Sequence, residues 1–409
     1  MVEPVPSPRH ARPARTVTAD PNPVPAAPRS GRLPALDVLR GIAILGTLGT
    51  NIWIFTNYEG LLGYISQENE PTGAWLWAER VLQQLAQGKF LGLLTIMFGI
   101  GLAIQQRSAV RGGRPWPGKY PWRAGLLFLD GFLNFLLVAE FDVLMGYALT
   151  GLVVAFVLAT GPKAQRRWLI VAASIHTAVL TLIAVGMAFD SRSPSERPQP
   201  EALDPNPYAD GSFWDLVVFR LDHAAMFRLE AVFIFPMSIA LFLLGARLFR
   251  AGVFEAEGAR IRKRLMIIGL GIAAPLDMAL GVAGGGDLIL FTRYGTAPFV
   301  ALGILALVAE FYTRRPAPGL VARRFSEVGR MALSCYILQN LVAGAICYGW
   351  GLGLTGLVSA QARVPFTVGV YVLVSALMMV FAHFWLRRFE RGPVEWMWNA
   401  SYRALAERG

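Results

Sequence analysis

The chain has 409 residues, of which 55% are hydrophobic and only 16% charged, with a mean hydropathy of +0.47 and a formal net charge of +11. A soluble fold of this length cannot hide so much apolar surface, and ordinary soluble domains carry about a quarter charged residues. The positive balance does not indicate nucleic acid either, because the basic residues sit in short clusters between apolar runs, as in the cytoplasmic loops of membrane proteins.

Residues 1–34 are rich in proline and arginine and show no apolar period, which predicts a disordered cytoplasmic tail and not a cleaved signal peptide. Apolar runs then recur along the chain, each close to the ~20 residues that a spanning helix needs. They lack the alternation of a barrel strand, so the expected fold class is an all-α polytopic membrane protein with about ten transmembrane helices. The expected spans are 38–57, 81–105, 123–139, 142–160, 168–189, 230–249, 265–283, 293–312, 331–350 and 365–386, inside a membrane domain covering 35–400.

The connections alternate in charge. Glu59, Glu68, Glu70 and Glu79 follow the first span, whereas Arg107, Arg111, Arg114, Lys119 and Arg123 fill the next connection without an acid. Glu140 and Asp142 form the third, and basic clusters return at 163–167, 247–264 and 314–330. The positive-inside rule then puts both termini, including a short tail at 401–409, in the cytoplasm of a plasma-membrane protein. Residues 190–229 read as an external loop, with an interfacial helix over 213–227 that is too charged to span. Cys335 and Cys347 fall on one expected helix, too far apart to bridge.

Ionisable groups in spans are costly and are functional candidates by default. Asn51, Lys89, Asn134, Glu140 and Asp142 all fall on the outer side. A lysine facing two carboxylates would leave one of them able to act as a general base. The plain alternative is that Lys89 reaches for the interface and the acids form a wet external turn. Asp37 and Arg40, at i and i+3 where the first helix begins, read first as a structural ion pair, and otherwise as a site for an anionic cytoplasmic ligand. Tyr336, Gln339 and Asn340 share one face near mid-membrane and are expected to bond to neighbouring helices. Asp277 and Arg293 suggest an ion pair across the outer connection of spans seven and eight. His176 reads as a buried, hydrogen-bonded residue and His383 as interfacial, which leaves His223 as the histidine suited to an external site. No motif for metal or nucleotide binding is present.

Three stretches together resemble the YeiB family, also called domain of unknown function 418. The first is Leu36-Asp37-Val38-Leu39-Arg40-Gly41, with Asn51 following. The second runs from Gly88-Lys89-Phe90 through Met97-Phe98-Gly99 to the Glu140/Asp142 turn and Gly146-Tyr147. The third comprises Gly329–Leu338, Tyr348-Gly349-Trp350-Gly351, Trp385-Leu386-Arg387-Arg388-Phe389 and Gly392-Pro393-Val394-Glu395-Trp396. The opening Asp-x-x-Arg-Gly helix is similar to that of transmembrane acyltransferases, which move an acyl group from a cytoplasmic thioester to an acceptor at or beyond the membrane.

That resemblance implies acyl transfer from an acyl-CoA donor held by Asp37 and Arg40 to a lipophilic or extracytoplasmic acceptor. Members of those families often use an intramembrane histidine as base; this chain has Asn134 in the matching stretch, and asparagine accepts no catalytic proton. The base role therefore passes to Glu140, Asp142 or His223, with Lys89 and Asn51 orienting the acceptor or stabilising negative charge. The expected catalytic residues are Glu140, Asp142 and Lys89, and the expected substrate contacts are Asn51, Asn134, His223, Tyr336, Gln339 and Asn340. A transporter or lipid-binding protein without covalent chemistry, and an acid-catalysed isoprenoid-modifying enzyme, remain as alternatives. The expected partners are membrane lipids and a small-molecule or lipid substrate, with no nucleic acid.

Overall fold

A computed structural model describes residues 33–66, 71–189, 203–315 and 319–408; the expected N-terminal tail through residue 32, His10, Glu68, Glu70 and the 190–202 part of the external loop lie outside them. All regular elements among the described residues are helical. In chain order they are α1 (Pro34–Phe55), α2 (Gly60–Ser66), α3 (Ala74–Ala86), α4 (Lys89–Arg111), α5 (Tyr120–Leu137), α6 (Leu144–Leu158), α7 (Pro162–Phe189), α8 (Phe213–Asp222), α9 (Ala224–Arg250), α10 (Ala259–Met266), α11 (Ala274–Gly284), α12 (Ile289–Phe291), α13 (Ala297–Arg314), α14 (Leu320–Arg330), α15 (Ala332–Cys347), α16 (Arg363–Trp385) and α17 (Pro393–Arg408).

Seven described helices are long and apolar enough to cross a bilayer, and α14 with α15 makes an eighth if this pair, bent by 90° at Met331, is one span. The expected spans over 123–139 and 142–160 correspond to α5 and α6, of 18 and 15 residues. At 1.5 Å per residue α6 covers about 22 Å, short of the ~30 Å hydrocarbon core. Their joining turn is therefore recessed into the bundle. Phe141 packs edge-on against Phe55 with ring centroids 5.4 Å apart, and Leu144 joins a cluster with Ile44, Leu45 and Tyr336 from the middle of α1 and the start of α15.

Two spans are interrupted by wide π-type turns, Ile267–Ala273 between α10 and α11 and Thr292–Thr296 before α13. The second span is broken at Gly88, whose φ of 71° is a conformation that side chains disfavour. Any Cβ there would also collide with the Arg293 backbone. The expected interfacial helix ends at Asp222, and α9 begins at Ala224, several residues earlier than the expected sixth span. A capping box between Ser212 and Asp215 starts α8, and the Ser212 hydrogen bonds hold the Asp215 carboxyl below its ordinary range. Residues 401–408 continue α17, where a short tail was expected.

Glycine pairs set the closest helix contacts. Gly99 of α4 lies against the Phe242 carbonyl of α9, and Gly245 of α9 against the Ile96 carbonyl of α4. Gly41 of α1 and Gly329 of α14 meet the Phe325 and Asp37 carbonyls in the same reciprocal way. Small residues permit such backbone approach where lipid supplies no hydrophobic force between helices. Gly99→Ala is expected to lower stability by about 1–3 kcal/mol, because its methyl overlaps rigid backbone. Thermal unfolding in detergent checks this, and an unchanged midpoint would mean that α4 and α9 separate freely.

Candidate functional site

The recessed turn is not the wet loop that its charge suggested. Glu140 and Asp142 are 1% and 4% exposed, and each has its own partners. Tyr208 donates to Glu140 Oε1 at 3.0 Å, and Arg220 Nε of α8 meets Oε2 at 3.2 Å. The Arg220 guanidinium also donates to the Leu136 and Val138 carbonyls at 3.1 and 3.2 Å, which closes the C-terminal end of α5. Glu140 is therefore an anchor for Tyr208 and α8, held in a buried ion pair whose hydrogen bonds offset the desolvation of both charges.

Asp142 stands differently. Its Oδ2 accepts from the Leu144 and Met145 N–H groups at 2.8 and 3.2 Å, capping the start of α6, and Oδ1 accepts from Asn134 Nδ2 at 2.8 Å. A carboxylate offers about four lone-pair directions, so one remains after these three bonds. Arg228 donates to the Asp142 and Glu140 backbone carbonyls and fixes the turn from α9.

Lys89 does not face either acid. Its ammonium pairs with Asp277 of α11 and donates to the Gln84 carbonyl, with side chains 6% and 0% exposed. Gln84 Nε2 and Thr296 Oγ1 also donate to the Asp277 carboxylate at 2.7 and 2.5 Å. The expected Asp277–Arg293 pair is thus replaced by two others, since the helix break at Gly88 brings Lys89 to Asp277, while Arg293 turns to Glu230 at 2.9 Å. Tyr294 adds a hydrogen bond to Glu230 at 2.5 Å.

The remaining expected residues separate by depth. Asn51 donates to Asn340 at 3.4 Å and Gln339 to the Ile44 carbonyl at 3.2 Å, so these amides join α1 to α15. Asp37 and Arg40 form the expected ion pair at 3.3 Å. His176 is buried with Nε2 3.0 Å from the Tyr294 carbonyl, and His383 meets Glu327 at 3.2 Å. His223 lies exposed between α8 and α9, with Nδ1 2.9 Å from the Phe219 carbonyl and its ring against Phe219 and Phe227. No group of three His, Cys, Asp or Glu side chains converges among the described residues.

Two cavities flank the segment from Asp142 to Tyr147. The inner one, about 280 Å³, has Arg40, Gln105 and Arg123 at one end and Leu144 and Tyr336 at the other, with apolar walls from α1, α4, α5 and α15. Arg123 donates to Gln105 Oε1 at 2.9 Å and lies 5.4 Å over Trp398 and 4.4 Å over Tyr402 of α17. Glu395 holds α17 in place by accepting from the Leu333 and Ser334 N–H groups at 2.8 and 3.1 Å. Tyr336 reaches the Val143 backbone at the far end. The outer cavity, about 20 Å³, lies between α6 and α9, lined by Asp142, Thr150, Arg228 and Glu230 among others.

Sequence reasoning missed the two arginines that define the turn, Arg220 and Arg228, although Arg220 lies in the 213–227 segment that read as too charged to span. Nothing in the sequence marked Trp398 as a cavity wall.

Residues 248–404 match the family described as a protein of unknown function, DUF418. The chain is 30% identical over 390 residues to the uncharacterized protein YxaH of Bacillus subtilis (strain 168), covering 90% of this chain and 94% of that protein. It is also 30% identical over 390 residues to the uncharacterized protein YeiB of Escherichia coli (strain K12), covering 89% and 94%.

Proposed function

The chain belongs to the YeiB family, DUF418, and from that premise we propose that this membrane protein is an acyltransferase that takes its acyl group from an acyl-CoA at the inner cavity. The observation that carries this reading is the lining of that cavity, which joins Arg40 and Arg123 to a long apolar wall that ends at Leu144, two residues from Asp142. An acyl-CoA has the complementary form. Its phosphates would meet Arg40, Arg123 and the exposed basic residues between α4 and α5, while the acyl and thioester portion would lie along the apolar wall.

Asp142 is the base in this scheme, because Glu140 is engaged by Arg220 and Tyr208 while Asp142 keeps one acceptor direction. Asn134 orients the carboxylate, and its own Oδ1 has no hydrogen-bond partner among the described residues. Tyr336, which lines the cavity together with Leu144, supplies the hydroxyl that would stabilise a developing oxyanion. Lys89 has a structural role, and Asn51 joins two helices.

Gly101 supplies the test. It lines the inner cavity, and a Cβ built on it meets nothing within 4 Å, so a larger side chain would fill the cavity without striking the protein. Acetyl-CoA is expected to bind the protein in nanodiscs and to bind Gly101→Leu ~10-fold or more weakly. Equal binding by the two would place the donor elsewhere, and no binding by the parent would overturn the acyltransferase reading.

A second reading has support from the Lys89–Asp277 pair. It is buried beside helices with π-type turns, which are frequent at functional sites, and intramembrane ion pairs mark transport paths in many proteins. Movement of a solute across proteoliposomes with its structure unchanged, abolished by substitutions at Lys89, would favour transport.

A further inference from the structure

We propose that the narrow cavity between α6 and α9 is an acceptor subsite, and that it takes the primary alcohol of an amphiphile approaching through the bilayer and not from the aqueous outside. The proposal rests on the acyl-transfer reading for its chemistry and on separate geometry for its location. The two cavities lie on either side of one short segment: Asp142, Val143, Gly146 and Tyr147 line the outer one, and Leu144 lines the inner one. A group in the outer cavity is thus one residue layer away from the Leu144 wall of the donor cavity.

The lining defines the ligand class. Thr150 is fully buried, and its Oγ1 has no hydrogen-bond partner among the described residues. A buried hydroxyl without a partner is costly, which argues for a ligand atom or water beside it. About 20 Å³ holds one water-sized group, so only the end of an acceptor enters. The two carboxylates that line the cavity, Asp142 and Glu230, are balanced by Arg228 and by the Arg293 paired with Glu230, so no surplus positive charge favours an anionic acceptor such as a phosphate. An ammonium must lose a proton before it can attack, whereas an alcohol gives up its proton during attack, to the remaining acceptor direction of Asp142.

The route follows from what is closed. Phe227, which lines the cavity, packs with Leu61, Leu62 and Phe219, and Arg220 and Tyr208 seal Glu140 beneath α8. The flanking side chains Leu149 on α6 and Leu229 and Val232 on α9 are 48%, 66% and 71% exposed, an apolar surface suited to lipid. The lining residues of α9 belong to its N-terminal half, whereas its C-terminal Arg250 bonds to Gln106 and Gln165 at the opposite, basic end.

The reaction balances without a further reactant. The alcohol oxygen forms a bond to the thioester carbonyl carbon while Asp142 takes the hydroxyl proton. The carbon–sulfur bond then breaks, its electron pair stays on sulfur, and the proton passes from Asp142 to the thiolate. The products are an ester and the free thiol of coenzyme A.

The test uses the full chain in nanodiscs, radiolabelled acetyl-CoA and three probes: octyl glucoside, its deoxy analogue lacking the primary hydroxyl, and water-soluble methyl glucoside. Octyl glucoside is expected to be acylated and the other two to react ~10-fold or more slowly. Gly146→Leu, which projects a side chain into the cavity where a Cβ meets only Ala231 at 3.9 Å, is expected to raise the KM for octyl glucoside ~10-fold while acetyl-CoA binding stays as in the parent. Thr150→Val, nearly unchanged in volume, is expected to raise the same KM by a smaller factor. Equal use of methyl glucoside, acylation of the deoxy analogue, or a parental KM in both variants overturns the subsite. Loss of acetyl-CoA binding in the parent overturns the acyl-transfer reading separately. In that case direct binding of octyl glucoside decides the subsite: weakening by Gly146→Leu supports it, and no weakening overturns it.

Discussion

Replacing Asp277 with alanine is expected to destabilise the protein by about 3–5 kcal/mol, because it strands the Lys89 ammonium in a site that water does not reach. The carboxylate has three donors, Lys89, Gln84 and Thr296, and the substitution removes the acceptor of all of them. The charge accounts for most of the loss, since an unpaired buried ion costs more than an unpaired amide. Changing both members separates the two contributions. Lys89→Met with Asp277→Asn removes the charges and keeps an oxygen for Thr296 and Gln84, so this pair is expected to recover most of the stability. Thermal unfolding of the two variants and the parent in one detergent measures the difference. A single Asp277→Ala variant as stable as the parent would mean that Lys89 finds other partners, and the break at Gly88 would then need a different explanation.

The other large effect falls on activity. Asp142→Asn is expected to lower acyl transfer by ~10²–10⁴-fold, the usual contribution of a general base. The amide keeps an oxygen for the start of α6, so folding is expected to change by about 1 kcal/mol or less, whereas Asp142→Ala loses the cap as well. The combination of intact folding, intact acetyl-CoA binding and lost transfer distinguishes a base from a cap. Transfer at the parental rate in Asp142→Asn would reduce this residue to its structural part.

The sequence made the helices legible because lipid imposes a simple requirement: about 20 apolar residues with every backbone group paired internally. Charge bias gave an expected side for each connection. It carried no information about depth, and for that reason Glu140 and Asp142 looked like surface residues although their turn is packed against Phe55 and Leu45. Pairing was also out of reach. Lys89 and Asp277 come from distant helices, and only the break at Gly88 and the wide turn at Thr292–Thr296 bring them together. Arg40 was legible as the partner of Asp37, because the two stand at i and i+3 where the first helix begins. Trp398 and Gly101 were not, because a cavity wall has no local signature in composition.

The glycine pairs have a consequence for motion. Where α4 meets α9 and α1 meets α14, carbonyls rest directly on Cα atoms, so neither contact has a side chain that can change rotamer and let one helix slide past the other. Any rearrangement that lets a bulky group pass must then be distributed elsewhere. Gly131 of α5 lies in the same way against the Met145 backbone nitrogen and ties the start of α6 to α5, whereas α17 is held by Glu395 and the rings over Arg123. The seams therefore stiffen the helix pairs that they join, and α17, attached through side chains beside the larger cavity, can adjust by rotamer changes without disturbing them.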